Sequence, residues 1–316
     1  MKSKLIFVLK AIVSIVLITV IISKIDWENA VKQLSGANIY LLSVTVLIAL
    51  FIRWLMAFKW NILLSVNQTK IPTWNIVKII MIGGFLGMFL PSSLSTDVVR
   101  GYYLTKENTA KLHVTSTIII DRLFGILSLL ITGIIGVYVS DNLLEQLNLK
   151  PILLIGTLGI FFIFIILFNK KLLERFNAFF ENKSSKIHNI LLKGYNALSE
   201  FYNYPKSLAC SFFISLGIQF LRIIRFYLIA EAINVNIPFI YFIVVVPAIM
   251  IVLMIPISLG GLGVKEGAAI SLLILLGITR NDAIVLTLIE SLTTTFVTLL
   301  GGLFYLSYKK TQLNNN

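Results

Sequence analysis

The stretch Pro256-Ile257-Ser258-Leu259-Gly260-Gly261-Leu262-Gly263-Val264-Lys265 interrupts a long apolar run. A near copy, Pro91-Ser92-Ser93-Leu94-Ser95-Thr96-Asp97-Val98-Val99-Arg100, stands in the first half of the chain. Pro, Ser, Leu, Val and a cation recur at the same offsets. A helix breaker, a hydroxyl and a charge are costly in hydrocarbon, where each unsatisfied polar group costs several kcal/mol. Their repetition points to two broken helices, one from each half of an internal repeat, converging on one site. That arrangement suits a transporter better than an enzyme.

Composition supports a membrane setting. The chain is 58% hydrophobic and 13% charged, with a mean hydropathy of +0.93, so an all-α integral membrane protein is expected. No polar stretch is long enough for a separate aqueous domain, and 1–316 reads as one membrane domain. The net charge of +13 does not indicate nucleic acid, because the aromatic residues lie in apolar runs rather than among the basic ones. A cytoplasmic bias of Lys and Arg, and attraction to anionic headgroups, account for it. The single cysteine, Cys210, excludes an intramolecular disulfide and a Cys-based metal site; His113 and His188 stand isolated, and no metal is expected. Residues 2–22 imitate a secretory signal, but Ser23-Lys24-Ile25-Asp26 lacks a small-x-small cleavage site, so an uncleaved first span is expected.

Candidate spans fall at 5–23, 39–58, 114–139, 151–168, 208–229 and 283–307, with two harder stretches at 76–94 and 239–277. Together they amount to about six to eight transmembrane helices. The segment 170–206 is rich in lysine and spaces its apolar residues helically, so it reads as a cytoplasmic amphipathic connector or a simple solvated one. The lysines near both termini place these inside as well. All basic segments share one side only if 76–94 dips into the membrane and returns, leaving 24–38 and the Asp141/Glu145 loop outside. Gly83, Gly84, Gly87 and Pro91 suit such a re-entrant turn, and 239–277 enters and returns as well.

Under this topology further matches appear. Arg53 in Phe51-Ile52-Arg53 corresponds to Arg222 in Phe220-Leu221-Arg222, and Asp121-Arg122-Leu123 to Glu290-Ser291-Leu292, with the same separation along the chain in both pairs. Two inverted repeats, 1–140 and 150–307, are therefore expected, each containing an arginine-bearing span, a broken helix and an acid-bearing span.

The candidate substrate-binding groups are Ser93, Asp97 and Arg100 in the first motif and Ser258, Gly260, Gly261, Gly263, Lys265 and Glu266 in the second. Arg100 and Lys265 could hold a phosphate with the serine hydroxyls and free backbone N–H groups, or merely snorkel to the interface. The glycines allow close approach either of a headgroup or of a neighbouring helix. Arg53, Asp121, Arg122, Arg222, Arg225 and Glu290 form a candidate intramembrane charge network. Within it Asp121 is expected to pair with Arg122 or Arg53, and Glu290 with Arg222 or Arg225; a proton-carrying carboxylate is the other reading. No nucleophile–base pair, HExxH motif or nucleotide-binding glycine loop is present in the sequence, so neither catalytic residues nor a cofactor is expected.

The two Pro-Ser motifs and Asp121-Arg122-Leu123-Phe124-Gly125 resemble the flippase-like membrane domain of the lysylphosphatidylglycerol synthase/flippase family. That family shows Pro-Ser-Ser-x-Gly-Gly-Asp-x-x-Arg, then acid-Arg-Leu-x-Gly, and later Pro-x-Ser-x-Gly-Gly-x-Gly-x-Arg-Glu-Gly. Here Ser95-Thr96 stands in place of Gly-Gly, and Lys265 in place of Arg, which removes bidentate phosphate binding at that point. Full-length members carry a soluble aminoacyltransferase domain that these 316 residues leave no room for. The resemblance therefore implies lipid translocation or binding rather than synthesis, with phospholipids, hopanoid-type lipids or polyprenyl-linked glycans as cargo.

The expected function is a lipid flippase in the cell membrane, holding an anionic headgroup in a cleft between the inverted halves. Membrane lipids are its expected partners, with a separate lipid-synthesising enzyme and a second copy of the chain also open. A transporter of a small soluble anion or ion, and an intramembrane lipid-modifying enzyme, are the alternatives.

Overall fold

The computed structural model describes residues 2–67, 71–90, 95–106, 111–140, 156, 158–159, 162, 201, 203–254, 257–258 and 260–314. Within these lie ten α-helices and no strand. They are α1 (Lys2–Ser23), α2 (Trp27–Ser35), α3 (Ile39–Leu64), α4 (Thr73–Met88), α5 (Ser95–Lys106), α6 (Lys111–Val139), α7 (Pro205–Ala232), α8 (Phe239–Val252), α9 (Val264–Leu275) and α10 (Arg280–Asn314). The expected span 151–168 and connector 170–206 lie almost wholly outside the described residues, as do Ser93 and the Asp141/Glu145 loop.

Among the described residues four helices are long and apolar enough to cross a bilayer: Ile39–Leu64, His113–Val139, Pro205–Ala232 and Arg280–Tyr308. The pair α1–α2, bent by 82°, offers a fifth. The chain is thus a polytopic all-α membrane protein. Its spans show the matching surface pattern. On α3, Leu47, Phe51, Trp54 and Phe58 are exposed along one stripe, while Ala49, Ile52, Trp60 and Leu63 on the other face are buried. On α10, Leu292, Phe296, Leu299 and Leu303 form the exposed stripe. An apolar face left without protein cover is what lipid requires, and the polar residues consequently turn inward.

The two interrupted stretches fold as pairs of short helices. α4 has 16 residues and rises about 24 Å, short of the roughly 30 Å hydrocarbon core. α5 then runs back along it. A Cβ at Gly83 would lie 3.6 Å from the Arg100 Cβ, and one at Gly87 only 2.6 Å from the Thr96 hydroxyl, so glycine is needed for the approach. This antiparallel return is the geometry of a re-entrant hairpin. α8 and α9 pack together similarly, with 14 and 12 residues.

At the centre α3 packs lengthwise on α7. The two run antiparallel: the Asn38 N–H donates to the Ala232 carbonyl (2.8 Å) near one end, and the Lys59 ammonium to the Ser215 hydroxyl (3.0 Å) towards the other. Around this pair the contacts mirror each other. α4 lies on α10 and α8 lies on α6.

Candidate functional site

A cavity of about 360 Å³ opens beside the α3–α7 contact, lined by α3, α4, α7, α10, the start of α9 and the Gly260–Leu262 turn. Its cations come from the inward faces just described: Arg53 on α3, Arg222 and Arg225 on α7, and Lys265 on α9. Glu266 and Glu290 are its carboxylates among the described residues. α10 adds hydroxyls at Ser291, Thr294, Thr295 and Thr298. Glu290, Thr294 and Thr298 recur every fourth residue, so one helical stripe carries them all.

Two of the four cations share one carboxylate. Glu290, itself buried, takes Arg225 on one oxygen and Lys265 on the other (2.5 Å). Arg225 also donates to the Thr294 hydroxyl at 2.6 Å. Glu266 does not join this pairing; it accepts from the Gly263 N–H (2.7 Å) and the Ser291 hydroxyl (2.5 Å), closing the N-terminus of α9. Arg53 and Arg222 remain. Arg53 donates to the Thr298 hydroxyl (3.2 Å) and Arg222 to the Gln219 amide oxygen (3.4 Å); among the described residues neither has a carboxylate within ion-pair distance. The Arg53 guanidinium packs over Gly84, where a Cβ would lie 3.3 Å from Nη1. Arg53, Arg222 and Arg225 repel one another across this space. Ser258 completes the wall: it is 5% exposed, and its hydroxyl has no hydrogen-bond partner among the described residues.

Lys59, Asp97, Arg100, Asp121 and Arg122 form a second cluster outside the cavity. Asp121 on α6 binds Lys59 (2.7 Å) and Arg100 (2.7 Å). Asp97 binds Arg100 (3.0 Å) and Arg122 (2.6 Å). Arg100 also lies over the Trp60 ring, 4.8 Å from its centroid, a contact worth about 0.5–2 kcal/mol. Trp60 in turn donates its indole N–H to the Thr117 hydroxyl (3.0 Å). The cluster ties α3, α5 and α6 together and is nearly self-satisfied.

The charge pairing therefore differs from the expected one. Asp121 pairs with neither Arg122 nor Arg53, because adjacent helical residues point about 100° apart and Arg122 turns to Asp97 instead. Glu290 takes Arg225, as one option had it, while Arg222 stays outside the pair. Arg100 and Lys265 do not converge on a shared site: Arg100 is buried among carboxylates, whereas Lys265 reaches the cavity but is held by Glu290. Gly260 and Gly261 line the cavity with φ of +57° and +82°, a conformation open to glycine at little cost. Gly263, also at positive φ, packs instead against Leu17 of α1. Lys59 escaped the sequence reading, which ended the span at Phe58. The hydroxyl stripe of α10 was legible in principle from its fourfold spacing opposite Leu292, Phe296 and Leu299.

The family model described as lysylphosphatidylglycerol synthase TM region matches residues 7–302. No curated protein and no solved structure gives a significant match.

Proposed function

The chain belongs to the lysylphosphatidylglycerol synthase TM-region family, and from that premise we propose that it carries an anionic lipid across the membrane, binding the headgroup in the cavity beside α3 and α7. One observation carries the reading: Arg53 and Arg222 face this cavity without a carboxylate among the described residues. A guanidinium held at membrane depth needs an anionic partner, and phosphate matches its fork of donors. At about 360 Å³ the cavity is at the small end of ligand pockets, which span roughly 300–1,000 Å³. It fits a headgroup and leaves the acyl chains to the bilayer. Met56, Met88, Leu253 and Leu262 give it apolar walls beside the charges.

The protein reads as a carrier rather than a catalyst, resident in the cell membrane with both termini cytoplasmic. It reads further as two inverted repeats. The antiparallel α3–α7 pair and the mirrored α4–α10 and α6–α8 contacts support this. Movement of the halves about the α3–α7 seam would then expose the same arginines to either side.

The test is lipid translocation in proteoliposomes. Wild type is expected to move anionic lipid, and Arg53→Gln and Arg222→Gln to lose that activity by about tenfold or more, since each removes a charge-assisted headgroup contact. Transport of small soluble anions with no lipid movement would favour the ion-transporter reading. Chemical conversion of the lipid would favour the enzyme.

A further inference from the structure

The charge balance of the cavity goes beyond "anionic" and, resting on the reading above, selects a class of headgroup. Four cations (Arg53, Arg222, Arg225, Lys265) face two carboxylates (Glu266, Glu290) among the described lining residues, an excess of two positive charges. Glu290 is saturated by Arg225 and Lys265, and Glu266 is turned to the Gly263 N–H and Ser291. Arg225 and Lys265 thus share the one carboxylate that reaches them, and Arg53 and Arg222 are left with none among the described residues. A phosphodiester brings one negative charge and two free oxygens, so one of these two half-buried guanidiniums would stay uncompensated. A terminal phosphate brings a charge of about −1.5 to −2 near neutrality and three free oxygens. Those oxygens match two arginine forks and the hydroxyl of Ser258, which is buried in the same wall and has no hydrogen-bond partner among the described residues.

We propose that the cavity recognises a doubly charged terminal phosphate, as in a lipid phosphomonoester or diphosphate, in preference to a phosphodiester headgroup. The lipid-borne group is one source of this chemistry and free phosphate the other.

The experiment is equilibrium binding to the purified full-length chain in zwitterionic nanodiscs, using phosphatidate, phosphatidylglycerol and inorganic phosphate as probes. Phosphatidate is expected to bind about tenfold tighter than phosphatidylglycerol, the worth of one further charge-assisted pair. Arg53→Gln or Arg222→Gln should bring the two lipids to within about twofold of each other, and Lys32→Gln, on the exposed face of α2, should change nothing. If a glutamine variant does not fold, Arg53→Lys and Arg222→Lys keep the charge. They should retain the preference at reduced affinity, since the bidentate fork alone is lost.

Acidification gives an independent sign. The titratable and charged groups facing the site are Arg53, Arg222, Arg225, Lys265, Glu266 and Glu290. Converting the terminal phosphate to a monoanion below about pH 6 would weaken its pairing with the two guanidiniums. Phosphatidate affinity is expected to fall from pH 7.5 to pH 5 while phosphatidylglycerol affinity does not. Equal affinity for both lipids, lost together in the arginine variants, overturns the phosphomonoester preference and leaves lipid binding intact. Binding of inorganic phosphate without either lipid upholds the dianion chemistry and overturns the lipid carrier. Binding of none of the three overturns both.

Discussion

The two groups of buried charge behave oppositely when a single residue is changed. Asp121→Asn strips the carboxylate from Lys59 and largely from Arg100, both buried. Breaking a buried pair this way costs about 3–5 kcal/mol, so the thermal midpoint of the detergent-solubilised protein should drop sharply. A second change, Lys59→Met, should recover part of the loss, because only Arg100 would then need a counter-charge and Asp97 still supplies one. Arg53→Gln removes a cation with no carboxylate partner, and in protein stripped of lipid it should leave the midpoint unchanged or raise it. That contrast separates residues that hold the fold from residues kept for a ligand. It also explains what the sequence could and could not disclose. Arg53, Arg222 and Glu290 were legible, because a charge inside an apolar run must face protein. The division of Arg100 from Lys265 was not. Matching the motifs sets Pro91 on Pro256 and Arg100 on Lys265, yet Lys265 is at the very start of α9, whereas Arg100 lies inside α5 one turn beyond Asp97, which it binds.

At the level of elements, the packing depends on a few close approaches. Gly301 lets α10 seat its backbone against the Met81 carbonyl of α4, and Gly136 does the same for α6 against Ile243 of α8. Gly301→Leu would force α10 away from the re-entrant hairpin and should lower the yield of folded protein. Gly125→Ala on α6, with nothing within 4 Å of the added Cβ, should be neutral or stabilise by about 0.5–1 kcal/mol. Folded yield and thermal midpoint measured side by side for both variants check this. The hairpins themselves were readable from Gly83, Gly84, Gly87 and the Gly260-Gly261 turn. The short helix α2 was not, since 24–38 was placed only by its charge, on the outer side, with no element assigned to it. Its Asp26 cap accepts from the Asn29 N–H (3.3 Å), and Trp27, Val31 and Leu34 share one exposed face. An apolar stripe on a nine-residue helix set 82° from α1 suits the membrane surface.

For the whole molecule, the α3–α7 seam places the candidate site where the two proposed repeats would meet. Each contributes one of the cations that lack a carboxylate among the described residues, Arg53 on α3 and Arg222 on α7. A headgroup bound to both would bridge the elements that the proposed transport cycle moves past one another. The most direct measurement of that claim is native mass spectrometry of the protein released from its membrane with bound lipid retained. Wild type is predicted to carry one anionic lipid per chain, and the folded double variant Arg53→Gln/Arg222→Gln to carry none. An anionic lipid retained equally by both proteins, or by neither, would contradict the account.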